Sequence, residues 1–198
     1  MNWAQILGFE QWAPDADPTR QGTITDLLNF IPSERGWRSA YSLADAGVSS
    51  MSSTCCGAFL MQKLDGTNLV FAGTASTLLL NVGYTWTVIC SDSYHASESQ
   101  RWRWATMGDY VLAATQSDTI AVSNAGATFT SITGAPKARM IESVYGFVMA
   151  AGTIDATYGE QSDRWYCSAI FDHTSWTPSA ITQCTTGRLV DTPGPITG

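Results

Sequence analysis

The sequence is poor in charged residues, and above all in basic ones. Asp, Glu, Lys and Arg make up 14% of the 198 residues, and 10 basic residues stand against 17 acidic ones. The formal net charge of −7 argues against a general nucleic-acid or acidic-membrane binder, which needs a basic patch. Low charge with abundant Ser, Thr, Ala and Gly favours β-structure, turns and packed assemblies over a charge-rich helical monomer.

Signals for export and for membrane insertion are also missing. The N-terminus, MNWAQILGFEQWAPD, has neither the basic region nor the apolar core of a signal peptide, and no segment approaches eighteen consecutive apolar residues. We therefore expect neither classical export nor a membrane-spanning segment. The chain does have 44% apolar and 11% aromatic residues, which predicts a folded protein with a substantial core.

Patterns that mark metal sites, disulfide frameworks and common catalytic sites are lacking. The five cysteines contain no C-x-x-C pair, and His95 and His173 lie far from any cysteine cluster. We interpret the cysteines as reduced thiols, with Cys55 and Cys56 on opposite sides of a strand. Ser-His-Asp order, H-E-x-x-H, P-loop and Rossmann fingerprints are absent, so no catalytic residue, cofactor or metal is predicted. The Asp172-His173 pair is interpreted as a solvated turn.

A repeat with a period near forty residues is present. Three segments combine a Gly turn, an apolar run containing Val, two small residues and Thr, namely GTNLVFAGT, GDYVLAAT and GFVMAAGT at 66–74, 108–115 and 146–153. The valines are spaced by 41 and 37 residues, at Val70, Val111 and Val148. An aromatic residue between two hydroxyl residues recurs in step, at 85–87, 128–130 and 175–177. This period is typical of β-propeller blades.

Each repeat predicts four short strands, in units at 55–90, 101–134 and 137–180. The predicted fold is all-β, with repeated four-stranded antiparallel blades that are propeller-like but form an incomplete ring within this chain, since known rings usually need four or more blades. A β-sandwich with evenly spaced strands is the alternative. The small residues of the repeats are expected on inner strands around a central channel; they are Ala72, Gly73, Ala113, Ala114, Ala150 and Ala151.

The segments that flank the repeats follow other patterns. Residues 1–45 are predicted to form an extended arm rich in aromatic residues and proline, with one helical turn at 25–32 that begins at Thr25 and ends at Pro32. Residues 46–198 hold the blades and a C-terminal linker, DTPGPITG. The arm is expected to lie on its own blades or on a neighbouring subunit. Its candidate assembly residues are Trp3, Trp12 and Trp37.

A six-residue turn occurs twice, as NVGYTW at 81–86 and NAGATF at 124–129. The pattern Asn-x-Gly-x-Thr-aromatic resembles the Asp-box, a hairpin turn of β-propellers, with Asn in place of Asp; a degenerate third copy occupies 172–176. We expect Asn to bond nearby backbone amides, Gly to take positive φ and the aromatic ring to tuck underneath, which is a structural role. The matching residues are Asn81, Gly83, Thr85, Trp86, Asn124, Gly126, Thr128 and Phe129.

Asp-box turns also occur in sialidase-like propellers, which makes a glycosidase an alternative. Such a site needs an arginine cluster for the substrate carboxylate, an activated Tyr nucleophile and an acid. This chain has arginines and glutamates, but their spacing is not diagnostic. RWRW at 101–104 has the alternation of a half-buried strand, which favours a structural role over a sugar or nucleic-acid platform.

Further motifs are spread in order along the chain: Trp12-Ala13-Pro14-Asp15, Asn29-Phe30-Ile31-Pro32, Gly36-Trp37-Arg38-Ser39, VFAGT at 70–74, WRWATMGDY at 102–110 and DHTSWTPS at 172–179. Together they resemble the N-terminal part of structural proteins from short-tailed bacteriophages. The sequence departs from that pattern in its shorter length and in Ser39, where the family has Pro.

The resemblance implies a β-propeller tail hub, or nozzle, below the portal and adaptor rings: a virion component and no enzyme. It further implies a ring of identical copies, contacts with the portal, the adaptor and other tail proteins, transient passage of genomic DNA, and assembly in the host cytoplasm. Acidic groups facing the lumen would let DNA slide with little adhesion. The alternatives are a carbohydrate-binding or glycosidase-like propeller of a tail fibre, and a head-to-tail adaptor or stopper.

Overall fold

The computed structural model describes residues 11–13, 15, 23–24, 28–33, 36–40, 45–191 and 194–197. These residues contain strands and no helix, which confirms the all-β prediction. Accordingly, no helix in these ranges is long and apolar enough to cross a membrane. The chain divides into two compact units, Met1–Ala46 and Gly47–Gly198.

The first unit contains two small two-stranded sheets. Strands β1 (Gln11–Trp12) and β2 (Thr23–Ile24) pair in parallel, and β3 (Phe30–Ser33) forms an antiparallel hairpin with β4 (Gly36–Ser39). The helical turn predicted at 25–32 is therefore wrong from Phe30 onward, because pairing with β4 holds this backbone extended.

The residues assigned to the arm are described only in part. Thr25 and Trp3 lie outside the described residues. Trp12 lies in β1, where only the backbone is described, and Trp37 lies in β4 with a half-buried side chain.

Three four-stranded antiparallel sheets follow one another in the second unit, and in each the strands pair in chain order. The first sheet consists of β5 (Gly57–Gln62), β6 (Asn68–Gly73), β7 (Leu78–Val82) and β8 (Thr85–Val88). The second consists of β9 (Arg103–Met107), β10 (Tyr110–Ala114), β11 (Ala121–Asn124) and β12 (Thr130–Ser131). The third consists of β13 (Lys137–Val144), β14 (Phe147–Asp155), β15 (Gly159–Cys167) and β16 (Thr185–Arg188).

Each repeat of the sequence corresponds to one sheet. The repeated glycines, Gly66, Gly108 and Gly146, lie in the hairpins between first and second strands, and the repeated valines lie on the second strands. In the third sheet the fourth strand follows a long loop at 168–184 and lies at Thr185–Arg188, beyond the end predicted for that unit at 180.

Successive sheets are held together by two apolar clusters, one on each face of the second sheet. Val111 and Ala113 of β10 belong to the cluster shared with the first sheet, while Leu112 and Ala114 belong to the cluster shared with the third. All four are fully buried. Since alternate residues of a strand point to opposite faces, β10 contributes to both clusters at once.

The small residues of the repeats provide space between sheets. They lie on β6, β10 and β14. Neighbouring sheets come together through their first strands, β9 with β13 and β5 with β9, and also through the second strand β10, which contacts β13. A Cβ on Gly73 would overlap the indole of Trp102, which lies against that backbone and donates its Nε1 hydrogen to the carbonyl of Thr74 at 2.8 Å. Gly73 thus leaves room for a side chain of the next sheet, whereas the expectation that these small residues surround a central channel stays a prediction.

An aromatic contact also joins the loop of the third sheet to the second sheet. The ring of His173 lies 4.2 Å from that of Tyr110, centroid to centroid, and His173 is buried. Its interpretation as a solvated residue is wrong. Burial lowers the pKa of His173, and the nearby carboxylate of Asp172 opposes the shift only in part.

His173 should make the protein less stable as the pH falls. A histidine whose pKa is lowered by folding binds fewer protons in the folded state than in the unfolded state. Its contribution to the unfolding free energy is therefore complete above the unfolded pKa of about 6.5 and is lost as the pH falls through the folded-state pKa. We expect His173→Phe, which keeps a ring against Tyr110, to flatten the decline in unfolding free energy between about pH 7.5 and 5.5.

Urea unfolding at several pH values in that interval measures this effect. His95→Gln is the matched control because it removes the other histidine, whose side chain is 77% exposed. If the unfolding free energy of His173→Phe falls with pH as steeply as that of the unmodified protein, the pH dependence does not come from His173.

Candidate functional site

The two repeated turns occupy equivalent places in the fold. Each joins the third strand of a sheet to the fourth: NVGYTW joins β7 to β8, and NAGATF joins β11 to β12. Gly83 and Gly126 both adopt positive φ, at 55° and 89°, which is a conformation that glycine takes at little cost. The sequence repeat therefore marks a repeated structural position.

The two turns differ in geometry and in the burial of their aromatic residue. In the first, Thr85 begins β8 and Asn81 pairs with Trp86 across a two-residue hairpin loop; Trp86 is half-buried. In the second, the N–H of Ala127 donates to the carbonyl of Asn124 at 2.9 Å, Thr128 precedes β12, and Phe129 is fully buried.

The asparagine of the first turn does not act as an Asp-box aspartate is expected to act. Its Nδ2 atom is buried and has no hydrogen-bond partner within the described residues. Backbone pairing and the positive φ of Gly83 and Tyr84, 55° and 67°, define this hairpin instead.

The degenerate third copy, at 172–176, retains the carboxylate contacts that the first copy lacks. Asp172 Oδ1 accepts hydrogen bonds from the N–H and the hydroxyl of Thr174, at 2.9 and 2.6 Å. The indole of Trp176 donates to the carbonyl of His173 at 2.9 Å and is buried. This segment lies between β15 and β16, the same place as the other two turns.

The turn aromatics attach each sheet to the sheet before it. Phe129, from the second sheet, lies in the cluster shared with the first, 5.8 Å from the ring of Phe71, and its N–H donates to the carbonyl of Ile89 at 2.6 Å. Trp176, from the third sheet, lies in the cluster shared with the second. Trp86, from the first sheet, has no preceding four-stranded sheet in the described part of the chain.

A cavity of about 570 Å³ lies where the first strands of the three sheets come together. Its walls include Phe59, Trp104 and Met140, with Arg103 and Glu142 among its charged residues. The rings of Phe59 and Trp104 stack with centroids 6.0 Å apart, and the Nε1 atom of Trp104 is buried with no partner within the described residues. The cavity thus offers mainly apolar surface.

A smaller cavity of about 240 Å³ collects three arginines, Arg101, Arg103 and Arg139, with Glu98, Ser99, Gln100 and Gln116. Arg101 and Arg103 are exposed, Trp102 is buried and Trp104 is half-buried, so the predicted alternation of RWRW is confirmed. Sequence spacing did not reveal this cluster, because Arg139 comes from the next sheet.

Two tyrosines of the second unit, Tyr94 and Tyr166, have raised pKa values. The hydroxyl of Tyr166 donates to Asp155 Oδ2 at 3.0 Å, and burial together with this carboxylate raises the pKa of Tyr166 to about 12. Burial, with a smaller contribution from Asp92, also raises the pKa of Tyr94. A raised pKa keeps a phenol protonated at neutral pH, which is the opposite of nucleophile activation.

Phe129→Ala should destabilise the protein far more than Trp86→Ala, although both replace the aromatic residue of the same turn. Truncating a fully buried Phe costs about 3–5 kcal/mol, and half-buried Trp86 has less contact to lose. Chemical unfolding of the two variants measures the difference. Equal losses of unfolding free energy would contradict the different roles of the two turns.

Comparison with known proteins adds no family assignment. A scan against protein-family models and a search of curated proteins each found no match. Within the described residues, no group of three or more His, Cys, Asp or Glu side chains is placed to hold a metal ion. The five cysteines are all free thiols, and Cys55 is exposed while Cys56 is buried.

Proposed function

We propose that this chain is a structural subunit of a bacteriophage tail, a nozzle or tail-hub protein without enzymatic activity. In this proposal the three sheets are consecutive blades of a propeller-like ring, completed by other copies or chains, around the path of the genomic DNA. The ordered motifs of the sequence, which resemble those of structural proteins from short-tailed bacteriophages, suggest this function. The observation that carries the proposal furthest is a partly exposed apolar face on the first sheet.

The outward face of the first sheet lies opposite the face that packs on the second sheet. Phe59 and Phe71 contact the second sheet, whereas Leu60 and Val70, their neighbours along the strands, are 62% and 39% exposed. Leu60 pairs with Val70, so the two lie side by side on the outward face. Val88, 55% exposed, lies on the same face through its pairing with Leu79. Leu79 itself and Ala72, which pairs with it, are buried, so this face is exposed only in part.

The position of Trp86 also supports a packing partner for the outward face of the first sheet. Its pairing with Asn81 places it on the outward face with Val88, two residues along β8. The corresponding aromatics of the next two sheets are buried against the preceding sheet. A further blade on the outward face would bury Trp86 in the same way, and contiguous exposed apolar surface is typical of interaction sites.

The charge of the chain is compatible with DNA passage. A surplus of seven negative charges gives the phosphate backbone few cationic partners, so DNA could move past an acidic lumen without being retained. The low-charge faces would serve contacts between subunits.

The purified chain should assemble into rings, and Val70→Glu should impair that assembly. A charge buried between blades without a partner is strongly unfavourable, whereas the same residue on an exposed face costs the monomer within about 0.5 kcal/mol. Light scattering and negative-stain electron microscopy measure the assembly, and thermal unfolding checks the fold. Ile181→Glu is the control, since Ile181 is 94% exposed in the loop before β16.

A wild-type chain that stays monomeric at high concentration, or rings unaffected by Val70→Glu, would argue against the proposal. Incubation with bacterial surface glycans separates it from the carbohydrate alternative. Turnover or tight binding of a glycan would favour a tail-fibre propeller instead.

A further inference from the structure

We propose that Arg101, Arg103 and Arg139 form a binding site for a doubly charged, phosphate-type oxyanion. The site is the cavity of about 240 Å³ near the beginnings of β9 and β13. It does not depend on the proposed tail function, since it rests on charge and geometry within the second and third sheets.

The three arginines reach the cavity from separate segments. Arg101 comes from the loop before β9, Arg103 from the first residue of β9, and Arg139 from β13 in the next sheet. Arg101 Nε donates to the carbonyl of Glu98 at 3.2 Å, which anchors this guanidinium in the loop. Within the described residues, none of the three arginines forms an ion pair.

The stem of Arg139 lies against a glycine at a backbone irregularity. The pairing of β14 with β15 shifts register between Ala151 and Thr153, and Gly152 at this bulge has a φ of +62°. A Cβ on Gly152 would lie 3.1 Å from Cβ of Arg139 and 3.7 Å from its Cδ, so the arginine stem lies against bare glycine backbone.

The charge balance of the cavity favours a dianion. Three arginines and Glu98 leave a local charge of +2 in a chain whose net charge is −7. Three like charges that line one small cavity repel one another unless an anion neutralises them. Guanidinium groups suit phosphate because their planar fork donates two parallel hydrogen bonds to its oxygens.

Neighbouring polar groups frame the cavity without neutralising it. Gln116 Nε2 donates to Glu160 Oε1 at 2.9 Å, and Gln100 Oε1 accepts a hydrogen bond from the hydroxyl of Ser117. The Gln100 bond uses its amide oxygen, so its Nε2 hydrogens can donate to an anion. The volume accommodates one phosphate group and its water, whereas pockets for drug-sized ligands begin near 300 Å³.

Isothermal titration calorimetry of the full chain with inorganic phosphate at low ionic strength tests the proposal. We expect saturable binding that Arg103→Gln and Arg139→Gln each weaken by roughly tenfold, because each removes a charge-assisted hydrogen-bond donor. Both residues are exposed, and unchanged thermal unfolding would show that the variants are folded.

Arg188→Gln is the matched control. It removes the same charge at a distant pair, where Arg188 Nη2 lies 2.7 Å from Asp163 Oδ2, and should leave phosphate affinity unchanged. No saturable binding by the wild-type chain, or an equal loss in Arg188→Gln, would overturn the proposal. Acetate binding as tight as phosphate binding would overturn the preference for a dianion.

Short single-stranded oligonucleotides with and without a 5′-phosphate identify the source of the oxyanion. Binding that requires the 5′-phosphate supports a free or terminal phosphate dianion. Equal binding of both oligonucleotides would contradict the preference for a dianion, because each phosphodiester of the backbone carries a single charge. In either case the affinity must fall in Arg139→Gln, since an oligonucleotide that binds regardless of this arginine occupies another surface and contradicts the site.

Discussion

The need to cover both faces of each four-stranded sheet governs this structure. A sheet of this size cannot bury two apolar faces by itself, so each sheet depends on its neighbours. The second sheet meets this requirement within the chain, because Val111 and Leu112, adjacent on β10, enter opposite apolar clusters. The small residues on second strands follow from the same constraint, as the indole of Trp102 against Gly73 shows.

The outward face of the first sheet meets this constraint only in part: Ala72 and Leu79 are buried there. Leu60, Val70 and Val88 remain exposed there, and Trp86 is only half-buried. An assembly that adds a blade would complete the pattern set by Phe129 and Trp176. The proposed ring therefore extends to the first sheet the packing that already covers both faces of the second. The proposed tail function rests in addition on the motifs of the N-terminal segment and on the acidic charge.

The few basic side chains of the protein are unevenly distributed. Few basic residues are available, yet three arginines from neighbouring sheets line one cavity. The stem of one of them, Arg139, lies against Gly152 at a bulge. Two other cations, by contrast, have acidic partners, in the pairs Lys63–Asp65 and Arg188–Asp163. An anion at the arginine cavity would supply the partner that the chain does not.

The sequence by itself determined the all-β class, the division into three four-stranded sheets and the position of the turns, because strand alternation and glycine turns are local properties that recur with the repeat. Tertiary structure decided what each repeated residue does. Trp86 and Phe129 have the same local context but different burial, because only Phe129 has a sheet to pack against. Pairing with β4 holds Phe30 extended, contact with Tyr110 buries His173, and Arg139 lines the same cavity as Arg101 and Arg103. These outcomes depend on contacts that local sequence patterns do not encode.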